Sequence, residues 1–134
     1  NLAPCPCNCK FCSFAKINNL FQQSIELGYS EALSIVKQFE KEGANAIYIM
    51  TTAHYPISKF IEIVKEIKKN IHPDTVLIGN VGDKSLKEAE RLKQAGLTGV
   101  YHALRLREGT DTDILPEQRR ESILNFQIKY ASCK

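Results

Sequence analysis

No apolar run in this chain approaches the ~20 residues that a membrane-spanning helix needs. No basic-then-apolar leader precedes the first cysteine either, so a membrane protein is not expected. Charge of one sign is equally scarce. The formal net charge of +3 is spread along the chain, with Lys and Glu interleaved, which excludes the basic stripe of a nucleic-acid-binding surface. Nothing is low-complexity and no internal repeat is visible. With 43% hydrophobic and 25% charged residues, the 134-residue chain has material for one core and lacks a disordered composition. Cysteine is nearly absent outside one place: four of the five lie between positions 5 and 12, and the other is Cys133. A disulfide framework therefore has no partners to draw on, and a reducing, cytoplasmic interior is the expected compartment.

What is present is the stretch Cys5-Pro6-Cys7-Asn8-Cys9-Lys10-Phe11-Cys12. Cys5, Cys9 and Cys12 are spaced C-x3-C-x2-C, with an aromatic residue before the last. A loop can wrap an iron–sulfur cluster where a helix or strand would splay the sulfurs apart. A [4Fe–4S] cluster normally takes four cysteine ligands, so three leave one iron open to a ligand that is not protein. Two other readings stand beside this one. All four cysteines, as C-x-C-x-C-x2-C, suit a structural zinc site on a non-catalytic α/β module, although such sites usually pair two knuckles and no second one follows. A redox-active thiol protein would instead hold no metal and carry an accessible cysteine of low pKa.

The loop resembles that of the radical S-adenosylmethionine (radical SAM) superfamily, matched here by Cys5, Cys9, Phe11 and Cys12. The resemblance implies a [4Fe–4S] cluster on Cys5, Cys9 and Cys12, with SAM chelated on the open iron. It also implies reductive cleavage of SAM to a 5′-deoxyadenosyl radical that takes hydrogen from a small-molecule substrate. A one-electron donor such as ferredoxin or flavodoxin is the implied partner. Phe11 would lie beside the SAM adenine.

Along the chain, helical stripes alternate with short apolar runs. Ala32, Ile35, Val36 and Phe39 form one stripe, opened by Ser30 as N-cap and ended by Gly43. Ala46 to Met50 reads as a strand buried on both faces of a parallel sheet. Ile57, Phe60, Ile61, Val64 and Ile67 form a second stripe, and Thr75 to Ile78 the next strand. Ser85 with Glu88 is a capping box for a helix carrying Leu86, Ala89 and Leu92 and closed by Gly96. Val100 to Leu104 is the next strand, and Pro116 opens a helix with Ile123, Leu124 and Ile128 as its apolar face. The expected fold class is α/β: parallel βα repeats forming part of a TIM-like (β/α) barrel. A whole barrel takes ~250 residues. Residues 1–134 are thus expected to be a partial radical SAM core domain, the cluster loop plus about three βα units. The chain opens at Asn1, with the cysteines following at once, so the strand before the loop and the C-terminal half of the barrel are expected to be missing.

In parallel α/β folds the functional residues gather at the C-terminal ends of strands. The closest resemblance there is to the biotin-synthase-like branch. Met50-Thr51-Thr52-Ala53-His54-Tyr55-Pro56 resembles that branch's Met-Gly-Ala-Ala-aromatic segment, implying SAM contacts at Met50 and Thr51. Thr51 stands where the family has glycine. Asn80 stands where the family often places a small polar residue near SAM. Tyr101 to Glu108 lies where biotin synthases carry a Tyr-Asn-His-Asn-Leu-Asp stretch. The departure from it favours relatives with an Arg…Glu pair, as in hydrogenase-cofactor maturases. The resemblance makes Arg105 or Arg107 a clamp for the SAM carboxylate and Glu108 an acceptor for ribose hydroxyls; a solvated strand end with local ion pairs is the plain alternative. His54 and His102 read as scaffold or surface. The implied activity is cofactor biosynthesis.

Overall fold

A computed structural model describes residues 4–102 and 110–130. Arg105, Arg107, Glu108 and Cys133 lie outside the described residues. After the cysteine loop and a 3-10 turn, Lys16–Asn18, the elements run α1 (Tyr29–Lys41), β1 (Ala46–Met50), α2 (Ile57–Asn70), β2 (Val76–Asn80), α3 (Leu86–Gln94), β3 (Gly99–Val100) and α4 (Pro116–Tyr130). The sheet order is β1-β2-β3, and both strand pairs are parallel. This is the parallel βα fold class expected from the alternation. Each helix packs on the one before it, α1 on α2, α2 on α3 and α3 on α4. No helix among the described residues is long and apolar enough to cross a membrane.

The stripes predicted from periodicity make the core. Phe60, Ile61, Val64 and Ile67 of α2 are buried and meet Ile47 and Leu77 of the sheet, with Ala89 and Leu92 of α3 beside them. Gly79 suits this packing, because a Cβ there would lie 2.9 Å from the Leu97 Cδ2 atom and the leucine would have to shift. The capping box is present: Ser85 accepts from the Glu88 N–H, and the Glu88 carboxylate accepts from the Ser85 N–H. α1 begins one residue before Ser30, with Gly28 in the capping position, and of its stripe only Val36 is fully buried.

Three expectations are corrected. The strands are not buried on both faces. Ile47 and Leu77 point into the helical layer, whereas Tyr48, Met50 and Val76 are exposed, because the helices cover one face only. On α4, the face turned inward is Ser122 and Phe126, with Tyr130 partly buried, while Leu124 and Ile128 are exposed. Polar anchors set that rotation. Lys84 N–H donates to Ser122 Oγ at 2.8 Å, and the Arg119 guanidinium meets Asp83. The His102 ring then stacks edge-on against Phe126. The described part of β3 is also shorter than the run Val100 to Leu104, covering Gly99 and Val100.

Candidate functional site

The cysteine loop is closed at its base. Cys5 forms a one-residue parallel bridge with Ala15, through Cys5 N–H to Phe14 O (2.7 Å) and Lys16 N–H to Cys5 O (2.9 Å). Inside it, Cys12 N–H donates to Cys9 O, and the Asn18 amide donates to the carbonyls of Lys10 and Cys12. Asn8 takes a left-handed conformation (φ 49°), which asparagine tolerates better than most residues. The loop is fixed from outside by residues 111–113. Lys10 N–H donates to Asp111 O (2.9 Å), Asp113 N–H to Cys7 O (2.9 Å), and the Asn8 amide to the Asp113 carboxylate (2.6 Å). Thr112 is buried against it, its hydroxyl 3.0 Å from the Cys9 sulfur.

Cys5, Cys7, Cys9 and Cys12 are all free thiols, and only Cys7 is buried. The Cys7 thiol donates to Cys5, which pushes Cys5 down to about 5 despite its partial burial, with help from the Cys7 and Ala53 N–H groups and the nearby His54. The same bond, together with burial, pushes Cys7 up. Among the described residues no three His, Cys, Asp or Glu side chains are grouped as a metal site. The donor set nevertheless fits a thiolate-held cluster in kind: three partly accessible thiols free of disulfides on one closed loop, one of them biased to the thiolate form.

The loop lies over the C-terminal ends of the strands. Met50 and Asn80 end β1 and β2 as register partners and share the helix-free face with Tyr48, whose ring meets Tyr101 edge-on at 6.0 Å. Thr51 does not extend that face; its N–H and hydroxyl both donate to Asn80 O, at 3.1 and 3.3 Å. Its side chain thereby ties the two strand ends together. Gly82 (φ 69°) lets the next loop approach closely, since a Cβ there would lie 2.7 Å from Ala53 Cα. Phe11 is exposed. A cavity of about 520 Å³ opens beside the loop, bordered by Cys7, His54, Asp83, Lys84, Asp113 and Gln118.

Below that cavity is a buried charged cluster that sequence reasoning missed. Asp83 Oδ1 lies 2.7 Å from Arg119 Nε and 3.1 Å from His102 Nε2. Ser122 Oγ is 3.0 Å from the same His102 nitrogen. Ser, His and Asp are therefore adjacent without forming a hydrolytic triad, which needs the nucleophilic serine and the orienting carboxylate on opposite ring nitrogens of the histidine. Here Nδ1 faces Arg119 instead. The cluster joins the ends of β2 and β3 to α4. Lys84 beside it is pushed down from the usual lysine range by burial, with Arg119 adding to the effect. Thr112 was equally invisible in the sequence, where nothing local marks a buried threonine.

No family model matches the chain. Over 105 residues, 75% of its length, it is 29% identical to a biotin synthase of Clostridium tetani (strain Massachusetts / E88) and covers 32% of that protein. In fold it matches the crystal structure of HydG, a maturase of the [FeFe]-hydrogenase, with a TM-score of 0.75 over 93% of this chain and 30% of that one, at 15% identity. The chain therefore spans about a third of the length of either relative. The fold is that of a parallel βα segment of such a protein. The chain is thus similar in sequence to a biotin synthase and shares its fold with part of a hydrogenase maturase.

Proposed function

We propose that this chain is the cluster-bearing part of a radical SAM enzyme, working in cofactor biosynthesis in a reducing cytoplasm. The observation that carries the reading is the closed loop of free thiols docked over the strand ends, one thiol already biased to the thiolate. Cys5, Cys9 and Cys12 would hold a [4Fe–4S] cluster, and binding would gather their sulfurs. When bound, the cluster supplies the electron that cleaves SAM to a 5′-deoxyadenosyl radical, which takes hydrogen from a small substrate.

The chain's own residues bind and orient. The carbonyls of Met50 and Thr51, at the mouth of β1, face the SAM amino group in this reading, and Asn80 adds a polar side chain beside them. Arg105 or Arg107 pairs with the SAM carboxylate and Glu108 accepts from the ribose. Phe11 covers the adenine and shields it from water. Ferredoxin or flavodoxin is the electron source in this reading. The arginine and glutamate after β3 favour a maturase-like role over biotin synthesis.

The test is anaerobic reconstitution with iron and sulfide, dithionite reduction and EPR, with and without SAM, in the wild type and Cys9→Ala. A reduced [4Fe–4S] signal that shifts with SAM and is lost in the variant is the expected result. Stoichiometric zinc without a cluster would sink the reading.

A further inference from the structure

We propose that Thr112 is a positioning residue for the metal-holding loop, donating its hydroxyl proton to Cys9 Sγ when that sulfur serves as a ligand. The inference deepens the function proposed above and rests on it. Thr112 is 5% exposed, and its hydroxyl meets three groups. It lies 3.0 Å from Cys9 Sγ and 3.3 Å from Cys7 O, and it accepts from Ile114 N–H at 3.2 Å. A hydroxyl has one proton and two acceptor positions. The Ile114 N–H uses one acceptor position, leaving the proton a choice between Cys7 O and Cys9 Sγ. While Cys9 is a thiol, its S–H can give to Oγ1 or, at 3.8 Å, to Cys7 O, and the hydroxyl proton can stay on Cys7 O. A ligating sulfur has no proton to give. The hydroxyl then turns to the sulfur, and the contact persists with donor and acceptor exchanged.

The position of Thr112 is held independently of the sulfur. On either side of it, Asp111 O accepts from Lys10 N–H and Asp113 N–H donates to Cys7 O, a two-stranded clasp across the loop. The hydroxyl is therefore delivered to Cys9 by backbone, and a side chain about a hundred positions away supplies what the loop lacks. Hydrogen bonds to the sulfurs of a cluster stabilise its more negative, reduced state and raise its potential.

The experiment compares the full chain with Thr112→Val and Thr112→Ser. In reconstituted protein, the midpoint potential from an EPR-monitored titration is expected to fall in Thr112→Val and to return toward the wild-type value in Thr112→Ser. Equal potentials in all three would overturn the proposal. Failure of Thr112→Val alone to take up iron, with Thr112→Ser competent, would support it. If the wild type itself takes up no iron, the proposed function falls, and the metal-free chain decides the role of Thr112. Amide exchange at Asp113 and Ile114 should then be roughly fivefold or more faster in Thr112→Val, as loss of one hydrogen bond implies. Unchanged exchange would overturn the positioning role.

Discussion

The βα body and the cysteine loop are held by different physics. In the body, α2 turns Phe60, Ile61, Val64 and Ile67 into a sheet whose Ile47 and Leu77 are almost wholly buried. Those contacts are non-directional, and each residue shares its burial with several others. The loop buries little apolar surface beyond Cys7 and Ala15. It keeps its shape through single directional bonds: the Cys5–Ala15 bridge, the Asn18 amide, and the clasp to residues 111–113. A body of the first kind tolerates loss of any one polar bond. A loop of the second kind can lose its geometry while the body stays folded. That division suits a site that must be shaped to a fraction of an ångström yet remain open to what binds it.

The largest effect should come from the body. Phe60 is 1% exposed, and Phe60→Ala should cost about 3–5 kcal/mol through lost burial and the cavity left behind. Urea denaturation should show this, and loop and body should be lost together, because the loop's clasp is carried between β3 and α4. If the loop kept its amide protection while the body melted, the dependence would be refuted.

Next comes the junction between the two. Asp83→Ala would leave Arg119 and His102 facing each other without their shared carboxylate, in side chains 11% and 5% exposed. Breaking such a buried ion pair costs about 3 kcal/mol or more. Asp83→Asn, which keeps the shape and one acceptor, should cost less. Equal losses in the two variants would mean that the charge carries the whole effect and that the retained shape and acceptor contribute nothing.

The third effect should be confined to the loop. Asn8→Ala places a residue with a left-handed penalty of about 1–2 kcal/mol at φ 49° and removes the bond to Asp113. Asn8→Gly removes the bond alone. Amide exchange at Lys10 and Asp113 should rise most in the alanine variant, with the midpoint of body unfolding unmoved. A common fall in both would erase the distinction between the two regions.

This contrast also explains what was legible in the sequence. The α2 stripe and the Ser85–Glu88 box were visible because their partners lie three or four residues apart on one helix. So was the spacing of Cys5, Cys9 and Cys12, whose placement as ligands stays a proposal. The open face of the sheet was not visible. An apolar run such as Ala46 to Met50 reports hydrophobicity, but the number of covered faces depends on where the helices go. The inward face of α4 was misread because Arg119 and Ser122 are turned by partners at Asp83 and Lys84, more than thirty positions away. Thr112 and Asp113 had no local signal at all. Their role exists only through contacts with residues 7–9 across the fold.

The smallest effect tests the body's own directional bond. Ser85→Ala removes the N-cap of α3 and should cost about 1 kcal/mol, since one helix end loses its side-chain acceptor. Burial pushes the Glu88 carboxyl up, but the Ser85 N–H and hydroxyl, with Lys84 nearby, bring it below the ordinary glutamate range. A carboxylate depressed in the folded state contributes stability above its unfolded pKa and loses it as pH falls through the folded value. Wild-type stability should therefore decline as acid protonates Glu88, and that part of the decline should be shallower in Ser85→Ala, where Glu88 has lost a donor. The loop should not respond: amide exchange at Asp113, measured at one pH in both proteins, should stay the same. A cap removed from α3 reaches neither Cys9 nor Thr112, because the bonds that hold them run through the backbone of residues 111–113 instead.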